Sequence, residues 1–66
     1  MTIVVNGQEV ACEHGVTLLA LLGLQGLDPR SVVVERNGNI VKAEAFGAIS
    51  LEQDDTLEIL HFVGGG

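Results

Sequence analysis

Thr56-Leu57-Glu58-Ile59-Leu60-His61-Phe62-Val63 reads as a single strand, and Gly64-Gly65-Gly66 follows it. Glu58 belongs in water. Strict alternation then puts Leu60 and Phe62 on the same wet face, and Leu57 and Ile59 on the core face. Coming last, after the other segments have paired, this strand must find a central slot among them. The three glycines give the backbone maximal freedom and no bulk. They predict a thin, flexible tail, residues 64–66, reaching roughly 10 Å beyond a domain of residues 1–63.

Upstream of this strand, Leu51-Glu52-Gln53-Asp54-Asp55 is an acidic turn, and Ala43 to Ser50 is an irregular crossover with Phe46 as its core anchor. Before that, Val32-Val33-Val34-Glu35-Arg36 turns at Asn37-Gly38-Asn39 and returns as Ile40-Val41-Lys42. An Asn-Gly between apolar runs is a strong hairpin signal, because a type I′ turn needs positive φ at both central residues. If Val32 and Val34 point inward, Val33 joins Leu60 and Phe62 outside. Asp28-Pro29-Arg30 reads as a capped turn with proline at its first position. Thr17 is a good N-cap for a short helix with Leu18, Leu21 and Leu22 on one face. Gly23 or Gly26 is expected to end it, and Leu24 and Leu27 to tuck beneath the core. Thr2 to Val5, Asn6-Gly7 and Gln8 to Cys12 form a first hairpin, with Ile3, Val5, Val10 and Cys12 facing inward.

The order is hairpin, helix, hairpin, crossover, strand. A helix between two hairpins packs across one face of a mixed sheet, and the last strand then lies parallel to the first. The expected fold is α+β: a ubiquitin-like β-grasp with four to five strands and one main helix.

Composition narrows the function. At 66 residues and 47% hydrophobic, the chain is one small domain with a dense core. One cysteine forbids an internal disulfide, and no Cys/His spacing suggests a metal site. Nine acids against three bases give a net charge of −6, and the only aromatic residues are Phe46 and Phe62. That balance argues against nucleic-acid binding. No stretch reads as a signal peptide or membrane span, so the expected location is cytoplasmic.

Catalytic constellations are missing: there is no P-loop, nucleophile elbow or dinucleotide fingerprint. Cys12 falls on the expected core face, as a small hydrophobe rather than a nucleophile. His14 sits in a glycine-flanked loop. His61 lies beside the tail and could contact a partner. Glu52, Asp54, Asp55 and Glu58 read as a solvated face. The tail remains. A carboxylate acylates poorly until its oxygen becomes a good leaving group, which ATP achieves by forming an acyl-adenylate. Glycine has no Cβ to obstruct a narrow activating site or hinder attack at the carbonyl.

Ile3-Val4-Val5-Asn6-Gly7, Gly15-Val16-Thr17-Leu18 through Leu22, Val34 through Val41, and Leu57 through Gly66 carry a resemblance that covers the whole chain. Together they resemble the ThiS family of sulfur-carrier proteins, ubiquitin-like partners in thiamin thiazole synthesis. One departure is Asp54-Asp55, where the family often has Gly-Asp. The resemblance implies that a ThiF-like enzyme adenylates the Gly66 carboxylate with ATP. Sulfur, usually from a cysteine desulfurase persulfide, displaces AMP to give a thiocarboxylate, and a ThiG-like thiazole synthase takes up the sulfur. The chain would then be a co-substrate and not an enzyme, monomeric alone, with no bound cofactor. Gly64 and Gly65 would give the tail access, and Leu60, Phe62, Val33 and His61 would dock the partner. A MoaD-like or other-pathway carrier, a ubiquitin-like modifier, and an interaction domain with an inert tail remain alternatives.

Overall fold

A computed structural model describes residues 1–62. Val63, the Gly64-Gly65-Gly66 tail and the boundary between them lie outside the described residues.

The first hairpin pairs β1 (Thr2–Val5) with β2 (Gln8–Ala11) antiparallel, Ile3 opposite Val10. The second pairs β3 (Val32–Arg36) with β4 (Asn39–Val41), Val34 opposite Val41. Both turns are built as the Asn-Gly pairs require. Asn6 and Gly7 stand at φ 50° and 82°, Asn37 and Gly38 at 51° and 87°. β5 (Thr56–His61) enters between the hairpins, parallel to β1 and antiparallel to β3. The five-stranded order is β2-β1-β5-β3-β4. With one main helix on one face, this is the ubiquitin-like β-grasp.

The helix α1 (Leu18–Leu24) starts where Thr17 Oγ1 accepts from the Ala20 N–H at 3.1 Å. Leu18, Leu21 and Leu22 are buried. Gly23 does not end it but lies inside. The stop is Gly26 at φ 72°, just past the Gln25 cap. There Gly26 N–H donates to Gly23 O and Leu27 N–H to Leu22 O, the paired closure of a Schellman motif. That motif draws Leu27 onto the core. Leu24, expected there too, is 77% exposed. At 3.6 residues per turn it stands about 110° away from the centre of the arc set by Leu18, Leu21 and Leu22.

The core joins that arc to Ile3, Val5, Val32, Val34, Phe46, Leu51, Leu57 and Ile59. Phe46 anchors the crossover as expected. Leu51 is buried as well, because its N–H donates to Val16 O and Leu18 N–H to Ile49 O, stitching the crossover to the helix entry. The crossover also contains a 3-10 turn at Ala43–Ala45, with Lys42 as its cap rather than a strand residue. Another at Pro29–Ser31 is capped by Asp28. Cys12 is only half-buried, packed at the core's margin beyond the end of β2.

Candidate functional site

β5 carries the residues that point to function, and both hairpins grip it. Leu57 and Ile59 face the core, each burial worth about 1.5–3 kcal/mol. On the β3 side the register runs without a bulge from Arg36 opposite Leu57 to Val32 opposite His61. Phe62 N–H donates to Ser31 O at 2.9 Å, extending the pairing one residue past β5.

The asparagines of the two turns contribute more than positive φ. Asn37 Oδ1 accepts from Thr56 N–H at 2.9 Å, while its own N–H donates to Thr56 O. Asn6 Oδ1 accepts from Ile59 N–H at 2.7 Å, and Asn6 Nδ2 donates to Ile59 O at 3.1 Å. The start and the middle of β5 are thus each held by a side-chain amide. Reading the asparagines as turn formers alone misses this; the signal was an amide, able to donate and accept, at the same turn position twice.

Leu60 is 68%, Phe62 48% and Val33 39% exposed. Val33 stands directly opposite Leu60. Three of the four expected docking residues therefore share the sheet face away from the helix, with Leu60 and Phe62 near the end of the described residues. On the same face Glu35 and Glu58 stand opposite each other, and Ile40 opposite Glu35. Neither glutamate is in an ion pair among the described residues. The face offers an apolar row beside two carboxylates.

His61 is not part of it. It pairs with the buried Val32, so alternation turns it to the helix side, where it remains exposed at the sheet's end. Arg30 holds the Asp28 carboxyl below the usual carboxylate range, through side-chain and backbone hydrogen bonds, and the nearby His61 charge adds a smaller pull.

Asp55 corrects the reading of the acidic turn as wholly solvated: it is only 5% exposed. Its carboxylate accepts from Arg36 Nε at 2.9 Å, Asn37 Nδ2 at 2.9 Å and Glu52 N–H at 2.8 Å. Burial pushes its pKa up, but the Asn37 and Glu52 hydrogen bonds and the Arg36 guanidinium outweigh burial and hold it low. Glu52, Asp54 and Glu58 are exposed.

Little else offers chemistry. A shallow depression of about 400 Å³ is lined by Glu13, His14, Gly15, Val16 and Leu24, none of them on the docking face. Among the described residues no group of three or more His, Cys, Asp or Glu could hold a metal ion. No helix among them is long and apolar enough to cross a membrane.

The ThiS family model matches residues 3–66. The chain belongs to the ThiS family. Among ThiS relatives, the Bacillus subtilis sulfur carrier protein ThiS is 39% identical over 62 residues, covering 92% of this chain and 94% of that one. The crystal structure of the thiamine biosynthesis protein ThiS from Geobacter metallireducens superposes with a TM-score of 0.82 at 33% identity, each chain covered fully. A thiazole synthase from Magnetococcus marinus is 44% identical over all 66 residues, and one from Paramagnetospirillum magneticum 42%. The chain spans only a fifth of the length of these two synthases.

Proposed function

We propose that this ThiS-family chain is a sulfur carrier in thiamin biosynthesis and that the Gly66 carboxylate is the group that carries the sulfur. The observation that bears most weight is the family match, which runs through Gly66. It is supported by 39% identity across nearly the full length of a sulfur carrier protein.

The chemistry has two stages. A ThiF-like partner uses ATP to convert the carboxylate to an acyl-adenylate, releasing pyrophosphate. The outer sulfur of a donor persulfide, such as that of a cysteine desulfurase, then attacks the carbonyl and AMP leaves, giving an acyl disulfide. A second thiol attacks the donor sulfur of that disulfide, forms a new disulfide with it and releases the thiocarboxylate. A thiazole synthase receives the sulfur. Similarity to a segment of two thiazole synthases supports that last partner. Gly64 and Gly65 let the reacting end enter a narrow site. Leu60, Phe62 and Val33 supply the apolar contact that holds the carrier while it reacts, and His61, on the other face, lies outside this patch. The chain acts as a cytoplasmic protein co-substrate, monomeric when alone.

Carrier-dependent exchange of pyrophosphate into ATP by a ThiF-like enzyme tests the first stage. Exchange should occur with the full chain and vanish when Gly66 is deleted. Equal exchange with and without Gly66 would refute the assignment of the reacting group.

A further inference from the structure

β1 ends before β5 does. The Val4 and Asn6 N–H groups donate to Asp55 O and Leu57 O at 2.9 Å each. In a regular parallel ladder the next bond would run from the Ile59 N–H to the backbone carbonyl of Asn6. The chain instead turns away at Asn6, at φ 50°. Its side-chain amide takes over, with Oδ1 accepting from Ile59 N–H at 2.7 Å and Nδ2 donating to Ile59 O at 3.1 Å. Asn6 thus adds one more peptide-like rung beyond the end of β1, immediately before Leu60.

We infer that Asn6 is a positioning residue for the carrier reaction: by holding the Ile59 peptide it fixes the line along which β5 presents Leu60 and Phe62 to the adenylating enzyme. This rests on the proposed carrier function and on the docking role of those two side chains. Few residue types could replace it. Aspartate tolerates positive φ and accepts, but its carboxylate cannot donate to Ile59 O. Glycine keeps the turn and has no amide. Loss of the rung removes the last anchor on the β1 edge of the docking strand, beyond the backbone bonds to Asp55 O and Leu57 O, and leaves the β3 edge intact. The strand then samples more orientations, and the enzyme must select the competent one.

Asn6→Gly preserves the turn and removes the rung; Asn6→Asp keeps the accepting half. Pyrophosphate exchange by a ThiF-like enzyme, followed against carrier concentration, separates binding from turnover. Asn6→Gly should raise the KM for the carrier by roughly fivefold to tenfold, the scale of one hydrogen-bonded anchor, while kcat stays within about twofold. Asn6→Asp should fall between. Amide hydrogen exchange at Ile59 should quicken in Asn6→Gly while that at Val34 is unchanged. A wild-type KM in Asn6→Gly, with the variant folded, overturns the inference. If the unmutated carrier supports no exchange at all, the carrier reading fails instead. Unchanged Ile59 exchange in Asn6→Gly would then show separately that the rung holds nothing.

Discussion

Asp54 stands at φ 69° in the turn before β5, with its N–H donating to Thr2 O at 2.8 Å. This is where the chain departs from the Gly-Asp expected by resemblance, and the backbone has kept the left-handed conformation that glycine adopts freely. Aspartate tolerates it at some cost. Asp54→Gly should relieve that strain, partly offset by glycine's larger unfolded-state entropy, for a net gain of about 0.5 kcal/mol in urea unfolding. The neighbouring Asp55 is held by three donors. Asp55→Asn can keep its oxygen on Arg36 and the Glu52 N–H but then sets its amide donor against Asn37 Nδ2, and removes the charge that pairs with Arg36. It should lose about 2–3 kcal/mol. The acid response follows from the same contacts. The folded pKa lies below the ordinary 3.8, so the stabilisation from this charge is complete above about pH 5 and is lost as pH falls through the folded value. Unfolding curves from pH 6 to pH 2 should show that loss, with a shallower acid limb in Asp55→Asn.

At the scale of the element, β5 divides its labour between two faces. Leu57 and Ile59 hold it in the core, while Leu60 and Phe62 stay outside with Val33. The division was legible in the sequence because a strand's period of two leaves no other choice once Glu58 is in water. The placement of His61 on the opposite face follows from the same alternation, and grouping it with Leu60 and Phe62 by nearness in sequence overlooked that rule. Phe62→Asp should weaken binding to a ThiF-like enzyme at least roughly tenfold by isothermal titration calorimetry, as loss of an apolar anchor does. Because the ring is not in the core, the unfolding free energy should change little, within about 0.5 kcal/mol. Unchanged affinity would remove Phe62 from the docking face.

At the scale of the whole molecule, two Asn-Gly turns, a capped leucine helix and a final strand sufficed to specify the β-grasp. Those signals are local, and the hairpins leave a single central slot. Long-range polar contacts were harder to read. The burial of Asp55 depends on Arg36 and Asn37, nearly twenty positions earlier, and the Asn6–Ile59 rung spans 53 positions. Nothing periodic marks such pairs. Leu24 was misplaced for a different, local reason: the helix runs on through Gly23, so the 3.6-residue period carries Leu24 off the buried arc, and the closing motif recruits Leu27 instead. The candidate site was legible as residue types on a face. The amides that hold the face in place were visible only once the strands were paired.

The most direct test of the carrier function is the intact mass of the chain after incubation with a ThiF-like enzyme, ATP and a sulfur donor. The expected product gains the difference of one sulfur for one oxygen, and the gain disappears when Gly66 is deleted. An unchanged mass, with the same enzyme shown to thiocarboxylate another carrier, would contradict the account.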